Sequence, residues 1–229
     1  MDLLNIRKDL KLLHGSFDEE FVEQTLSCKY INKNDIVLEI GGNMGRNAIV
    51  ISSILEYQHN LVTMEPNNNF YIKLLENRDF NNKKFNVENS ALSIFPLYFH
   101  GSLTIYKDKI QETYPLSKNH IINNNNNLES CNIIDFLTLE KKYNLNFNVL
   151  VIDCEGAFYF ILKDMPYILN NIKLIIIEND FENAEHYYYI KEQFENNKFS
   201  CVESIELKGC PWDAPCKNNF YEVWKKDIN

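Results

Sequence analysis

Two acidic residues in the second half of the chain have the setting of catalytic groups. Asp153 and Glu155 come directly after the apolar run Val149–Ile152 and directly before Gly156. A carboxylate placed there can take the proton of an acceptor hydroxyl, which is a poor nucleophile while it keeps that proton. We therefore expect Asp153 to be a general base and Glu155 to position the acceptor. The alternative is structural, because the same acids can cap and charge the start of a helix.

Glycines dominate a second segment, which follows an earlier apolar run and opens into a predicted helix. Glycine lets the main chain turn tightly and approach a ligand, and a helix start offers unpaired N–H groups. The segment lacks the G-x-G-x-x-G motif of dinucleotide-binding loops. A dinucleotide as the ligand, and with it an oxidoreductase function, is therefore disfavoured. A nucleoside that carries an amino acid fits better, because the carboxylate of Glu39 can orient the ammonium group of the ligand and the glycine-rich loop can surround its carboxylate. A purely structural turn is the alternative. The residues assigned to this ligand are Glu39, Gly41, Gly42, Asn43 and Gly45.

The ends of two further runs would complete that binding site. Glu65 follows the run Leu61–Met64, at the edge where a carboxylate can accept ribose hydroxyl groups. Asn89 or Ser90, after a third run, should lie near the adenine of such a nucleoside. These positions together predict a site for a nucleoside that carries an amino acid, with Asp153 beside it.

A metal site is a further hypothesis for the same edge. Asn179 and Asp180 end a later run, so they can approach Asp153. Oxygen ligands of this kind suit Mg²⁺, which would acidify a hydroxyl. The three residues are candidates only, and the presence of a metal is left open.

Strands are needed to bring these residues together, and the sequence predicts them. Short runs rich in Ile and Val alternate with helix-like segments at intervals of roughly 20 to 30 residues, which is typical of an α/β fold with a parallel sheet. The predicted parallel strands are 36–40, 61–64, 84–87, 149–152 and 174–177, and the predicted antiparallel end is 200–207 and 220–225. The predicted helices are 17–28, with Ser16 as its cap, 47–57, 70–77, 156–162 and 183–197.

Length and composition limit the classes of function. We expect a single domain over residues 1–229, with an N-terminal helical extension at 1–34 and a long Asn-rich loop at 107–130. With 23 Lys and Arg against 32 Asp and Glu, the net charge of −9 disfavours nucleic acid as a partner. The absence of a long apolar stretch and of a signal peptide predicts a cytoplasmic protein, in a host cytoplasm if the genome is viral, without membrane insertion.

Four segments also resemble the FkbM family of S-adenosylmethionine-dependent methyltransferases: EIGGNMGRN, VTMEPN, NSALS at 89–93, and VIDCEGA at 151–157. The resemblance spans roughly residues 35–180. It implies that the cofactor of the predicted nucleoside site is S-adenosyl-L-methionine. It also implies a Rossmann-like methyltransferase sheet with helices on both faces, and O-methylation of a sugar, sugar nucleotide or glycan. The chain departs from the family pattern at Phe158. That departure suggests an alternative, a non-catalytic nucleotide-binding or scaffold protein with the same fold. The acceptor and the oligomeric state stay open.

Overall fold

A seven-stranded sheet forms the centre of the molecule. The computed structural model describes residues 2–100, 103–106, 129–181, 183–208 and 215–227. The strands are β1 (Val37–Ile40), β2 (Leu61–Met64), β3 (Asn86–Glu88), β4 (Ala91–Leu92), β5 (Leu97–His100), β6 (Leu103–Tyr106), β7 (Ser130–Cys131), β8 (Ile133–Ile134), β9 (Val149–Ile152), β10 (Leu174–Glu178), β11 (Phe199–Ile205) and β12 (Tyr221–Lys226). The helices are α1 (Leu3–Arg7), α2 (Phe21–Tyr30), α3 (Arg46–Ile54), α4 (Asn68–Phe80), α5 (Phe136–Tyr143), α6 (Phe158–Asp164) and α7 (Ala184–Asn196).

The strand order of the large sheet is β11-β12-β10-β9-β1-β2-β3. Strands β1, β2, β3, β9 and β10 pair in parallel, whereas β12 runs antiparallel to β10 and β11 runs antiparallel to β12. The chain therefore leaves β1 towards β3 and returns to β9 on the other side of β1. A crevice forms at such a reversal, outside the carboxyl ends of the strands, and it is where sheets of this kind bind ligands. The predicted α/β class and the antiparallel end are confirmed.

Helices cover both faces of the sheet, which explains why the central strands read as continuous apolar runs. Every residue of β1, β2 and β9 is buried. Along β1, Val37 points into a core that contains Ile49 of α3, and Leu38 points into the opposite core with Leu139 of α5 and Phe194 of α7. Because side chains alternate across a strand, both faces need apolar residues.

Several elements differ from the prediction. The helix predicted over 17–28 is a 3-10 helix, Phe17–Glu20, followed by α2. Helix α5, helix α1 and two small sheets, β4-β8 and β6-β5-β7, were not predicted. Of the predicted Asn-rich loop, residues 107–128 lie outside the described residues, and its last residue, Ser130, begins β7. None of the helices in the described parts of the chain has the length and apolar character needed to cross a bilayer.

Candidate active site

The glycine-rich loop connects β1 to α3 and lies against the tips of two other strands. The N–H groups of Gly41 and Gly42 donate to the carbonyl oxygen of Met64 at 3.1 and 2.8 Å. Gly41 has φ 98°, and a Cβ there would lie 1.6 Å from the main-chain oxygen of Asp153. A side chain at this position would therefore separate β1 from β9. The close approach that Gly41 permits is to the protein itself, and the predicted approach of these glycines to a ligand stays a prediction.

The start of α3 is capped by another part of the chain. Its cap residue, Gly45, has φ 82° and no side chain to accept a hydrogen bond. Glu20 supplies the missing acceptor: its Oε2 accepts from the N–H of Asn47 at 3.1 Å, and its Oε1 accepts from Nε of Arg46 at 2.7 Å. The helix N–H that we expected to be available to a ligand carboxylate is thus taken by a protein carboxylate. The carboxylate of a ligand would have to use the loop before Gly45.

Glu65, the predicted ribose ligand, lies at the tip of β2 and joins it to the glycine-rich loop. Its Oε2 accepts from the N–H of Asn43 at 2.9 Å, and its Oε1 accepts from the N–H of Asn67 at 2.7 Å. Burial raises the pKa of Glu65 to about 7, although the two N–H groups favour the ionised form. Each carboxylate oxygen has further lone-pair capacity. Glu65 is therefore held in place and can still accept ligand hydroxyl groups.

Asn43 itself contains an unsatisfied acceptor. It has φ 44°, and its side-chain Oδ1 is the one buried side-chain polar atom without a hydrogen-bond partner among the described residues. Buried polar atoms are nearly always paired, so an unpaired one needs an explanation. A bound ligand with an N–H or O–H group at the loop would satisfy it.

Glu39 lies below the loop and is only 3% exposed. Its Oε2 accepts from the hydroxyl of Thr63 at 2.5 Å. Burial is the main cause that raises the pKa of Glu39 to about 8. With Gly41 and Asp153, Glu39 lines a small pocket between the sheet and α2. Its predicted role towards a ligand ammonium group stays a prediction.

The two residues predicted near adenine have different surroundings. Asn89 is half-buried, and its Nδ2 donates to the carbonyl oxygens of Glu65 and Pro66 at 2.9 and 3.2 Å. It therefore borders the predicted ribose site. Ser90 is buried, and its hydroxyl donates to Glu88 at 3.1 Å. Asn89 is consequently the better placed of the two to meet a ligand.

Asp153 lies in the same pocket as Glu39, among other acids. One side-chain oxygen each from Asp153, Glu23 and Glu178 lies within 4.8 Å of the others. Burial, and then the charges of Glu20 and Glu23, raise the pKa of Asp153 well above its usual range. A hydrogen bond between Glu23 and Glu178 contributes to the raised pKa of Glu178. Carboxylates this close repel one another when all of them are ionised. Protons shared among them reduce that repulsion, and so does a cation that binds their oxygens.

The other predicted metal ligands have protein partners. Asn179 is 1% exposed, and its Nδ2 donates to the carbonyl oxygen of Asn219 at 2.6 Å and to Glu222 at 3.2 Å. These bonds join the end of β10 to β12. Asp180 is hydrogen-bonded to Glu155. The described acids that form a three-membered group of possible ligands are Asp153, Glu23 and Glu178, and the predicted ligation by Asn179 and Asp180 stays a prediction.

Glu155 has an uncommon backbone conformation. It has φ 52° and Gly156 has φ 76°, so the chain turns immediately after β9. The hydrogen bond with Asp180, and then burial, raise the pKa of Glu155 to about 8. A non-glycine residue in the left-handed region costs about 1–3 kcal/mol, and such residues cluster at functional sites. The alternative of a helix cap is not observed, because α6 begins after Ala157 without a side-chain cap.

Phe158, where the chain departs from the family pattern, is a core residue. It is 1% exposed, and its ring centroid lies 6.2 Å from that of Phe194. The ring therefore packs between α6 and α7 and does not reach the pocket of Asp153. The departure from the family pattern is thus a feature of the core, and the non-catalytic protein stays an alternative prediction.

Sequence reasoning missed the contribution of the N-terminal segment to the site. Glu20 and Glu23 reach the pocket from the 3-10 helix and α2. The one signal in the sequence for this contribution was the group of acids at the start of the predicted helix 17–28. Acids at that position are also explained by their favourable interaction with the helix dipole, so they did not indicate a site. The structure places these acids over the carboxyl ends of the strands.

Methyltransferases share this fold. An O-methyltransferase from Bacillus cereus, solved with S-adenosylhomocysteine, is similar over 97% of this chain and 88% of its own, with 13% identity and a TM-score of 0.52. A candidate O-methyltransferase from Klebsiella pneumoniae is similar over 99% and 90%, with 11% identity and a TM-score of 0.51. A candidate tRNA (m1A22) methyltransferase from Streptococcus pneumoniae, solved with S-adenosyl-L-methionine, is similar over 90% and 73%, with 12% identity and a TM-score of 0.50.

These similarities establish the fold class, which is the Rossmann-like α/β sheet seen in methyltransferases. No protein-family model matches the sequence, and no curated protein matches it either. The comparisons therefore show the fold that the resemblance implied, and they do not single out the FkbM family.

Proposed function

We propose that the protein is an S-adenosylmethionine-dependent O-methyltransferase of the FkbM type that acts on a hydroxyl of a sugar, sugar nucleotide or glycan. The observation that carries the proposal is the link between Glu65 and Asn43. It fixes a carboxylate at the tip of β2 beside a loop that holds an unsatisfied buried acceptor, Asn43 Oδ1. A nucleoside with an amino-acid tail offers hydroxyl groups to Glu65 and donors to Asn43, and so fits both features.

The residues have separate roles in this proposal. S-adenosylmethionine, when bound, supplies a methyl group on a positively charged sulfur. Glu65 binds the ribose, Asn89 borders the adenine, and the loop around Asn43 holds the amino-acid tail. Asp153 removes the proton of the acceptor hydroxyl, and its raised pKa makes it a stronger base than an exposed aspartate. Glu155, which follows Asp153 by two residues and is bonded to Asp180, positions the acceptor.

Calorimetry with S-adenosylhomocysteine tests the cofactor assignment. We expect binding to the intact protein, and a loss of about 10- to 100-fold in affinity for Glu65→Gln, because a bond to a charged acceptor is lost and a Gln amide cannot accept at both oxygens. Glu56→Gln, which changes an exposed acid of the same type, is the control and should bind normally. Absence of binding to the intact protein would contradict the proposal.

Mass spectrometry then tests the reaction. The protein is incubated with S-adenosylmethionine and a panel of sugars, sugar nucleotides, glycans, amines and tRNA, with and without EDTA. We expect the mass of one methyl group to appear on a hydroxyl of a carbohydrate. Transfer only to an amine or to tRNA would refute the acceptor class while leaving the cofactor assignment intact. Loss of activity in EDTA would establish a metal requirement.

A further inference from the structure

The chain before α2 lies along helix α4 as an ordered strap. Residues 10–16, called the N-terminal strap here, form neither helix nor strand. Two asparagines four residues apart face it: Asn77 in the last turn of α4 and Asn81, which caps the C-terminal end of that helix. Asn81 accepts from the N–H of Lys11 at 3.0 Å and donates to its carbonyl oxygen at 2.7 Å. Asparagine side chains thus provide hydrogen bonds that a neighbouring strand would provide in a sheet.

Asn77 binds the strap in the same way and has one additional contact. Its Oδ1 accepts from the N–H groups of Leu13 and His14 at 2.7 and 3.1 Å, and its Nδ2 donates to the carbonyl oxygen of His14 at 3.0 Å. The same Nδ2 donates to the carbonyl oxygen of Met44 at 2.8 Å. Met44 belongs to the glycine-rich loop. Asn77 is fully buried, so each of these bonds is shielded from water.

The strap leads directly into residues that form the pocket. After it come the 3-10 helix with Glu20, which caps α3 and binds Arg46, and α2 with Glu23, which faces Asp153. Gly15, at the end of the strap, has φ 78°, and a Cβ there would lie 3.1 Å from Nη1 of Arg46. The position of the strap therefore determines where both glutamates lie.

We propose that Asn77 is a positioning residue that couples occupancy of the glycine-rich loop to the placement of the N-terminal strap, and through the strap to Glu20 and Glu23 in the pocket. The inference rests on the proposed function, because it takes the loop as the cofactor site. A cofactor that fixes the loop also fixes the Met44 carbonyl that Asn77 binds. By thermodynamic linkage, the factor by which the bound cofactor stabilises the ordered strap equals the factor by which the ordered strap raises the affinity for the cofactor. Loosening the strap must therefore weaken cofactor binding.

Two matched variants separate this role from simple anchoring. Asn77→Asp keeps the oxygen that accepts from Leu13 and His14 but loses the donor to two carbonyl oxygens, that of His14 in the strap and that of Met44 in the loop. Asn81→Asp likewise loses the donor to two carbonyl oxygens, those of Lys11 and Asn77, and neither of these residues belongs to the glycine-rich loop. Amide hydrogen exchange is measured on the full chain, first without ligand. We expect Asn77→Asp to speed exchange at His14 and at Gly45, whose N–H donates to Gly42, and Asn81→Asp to speed it at Lys11 alone.

The second arm uses saturating S-adenosylhomocysteine. We expect it to slow exchange at Leu13 and His14 about tenfold in the unmodified protein and in Asn81→Asp, and to leave both rates nearly unchanged in Asn77→Asp. Equal slowing in Asn77→Asp, or a Gly45 amide that exchanges at the same rate in both variants, would overturn the inference. If Asn77→Asp does not fold, the unmodified protein provides the test. Bound S-adenosylhomocysteine that leaves amide exchange at Leu13 and His14 unchanged would then overturn the inference. Absence of ligand binding rejects the proposed function instead, and the ligand-free arm still tests the coupling.

Discussion

The main chain of Gly41 passes so close to Asp153 that a Cβ on Gly41 would lie 1.6 Å from the Asp153 carbonyl oxygen. The N–H of Asp153 also donates to the carbonyl oxygen of Ile40 at 3.0 Å. The glycine loop and the residue proposed as the base are therefore parts of one rigid junction between β1 and β9. A change on one side must displace the other.

The first prediction concerns Gly41→Ala. The added methyl group meets main-chain atoms of Asp153 and Cys154, directly after β9, which cannot move aside without separating the strands, and Gly41 also has φ 98°. We expect a loss of more than about 3 kcal/mol in the free energy of unfolding, measured with urea. Gly15→Ala is the control, since Gly15 also has positive φ but its Cβ would meet the flexible side chain of Arg46. Equal losses in the two variants would contradict the steric explanation.

The second prediction concerns Asp153→Asn. An amide cannot take a proton, so we expect turnover to fall about 100-fold or more while the affinity for S-adenosylhomocysteine is unchanged. Because burial and neighbouring acids raise the pKa of Asp153, the rate should rise with pH well above the usual range of an aspartate. Steady-state kinetics across pH provide the measurement. Glu178→Gln removes an acid from the same group, and an equal loss in that variant would argue against a specific base.

The third prediction concerns the dependence of stability on pH. Burial raises the pKa of Glu39 from 4.5 to about 8, so between these values the folded protein holds a proton that the unfolded chain has released. Stability must therefore fall as pH rises through this window. Glu39→Gln should reduce the fall by more than about 1.4 kcal/mol, the equivalent of one pKa unit. Urea unfolding at pH 5 and pH 8 measures it. Glu56→Gln, on the surface, should leave the slope unaltered.

The fourth prediction concerns Glu155, which has φ 52°. Glycine accepts this conformation without the steric cost, so Glu155→Gly should be more stable than Glu155→Gln by about 1 kcal/mol. Both variants lose the carboxylate, and both should raise KM for the acceptor without changing cofactor affinity. Thermal unfolding and steady-state kinetics test the two parts. A normal KM in both variants would remove Glu155 from the acceptor site.

Local patterns were enough to predict the central sheet and its carboxyl edge. The run Val149–Ile152 is apolar at every position because helices cover both faces of β9. Asp153 follows the last residue of this run and so lies at the carboxyl edge of the sheet. Glu65 could be placed by the same argument at the end of β2. Helix α5 was missed, although Asp135 caps it by accepting from the N–H of Thr138 at 3.0 Å, and no element was predicted between the Asn-rich loop and the strand at 149–152.

The amino-acid sequence determined which residues end the parallel strands, since strand burial and the turn after each strand depend on neighbours within a few positions. Only the tertiary structure decided what surrounds those residues. Glu20 caps a helix more than twenty positions away, and Glu23 faces Asp153 across the pocket. Asn77 holds both the strap and the glycine-rich loop. Such contacts depend on how α2 and α4 pack against the sheet, and no local spacing in the chain encodes that packing.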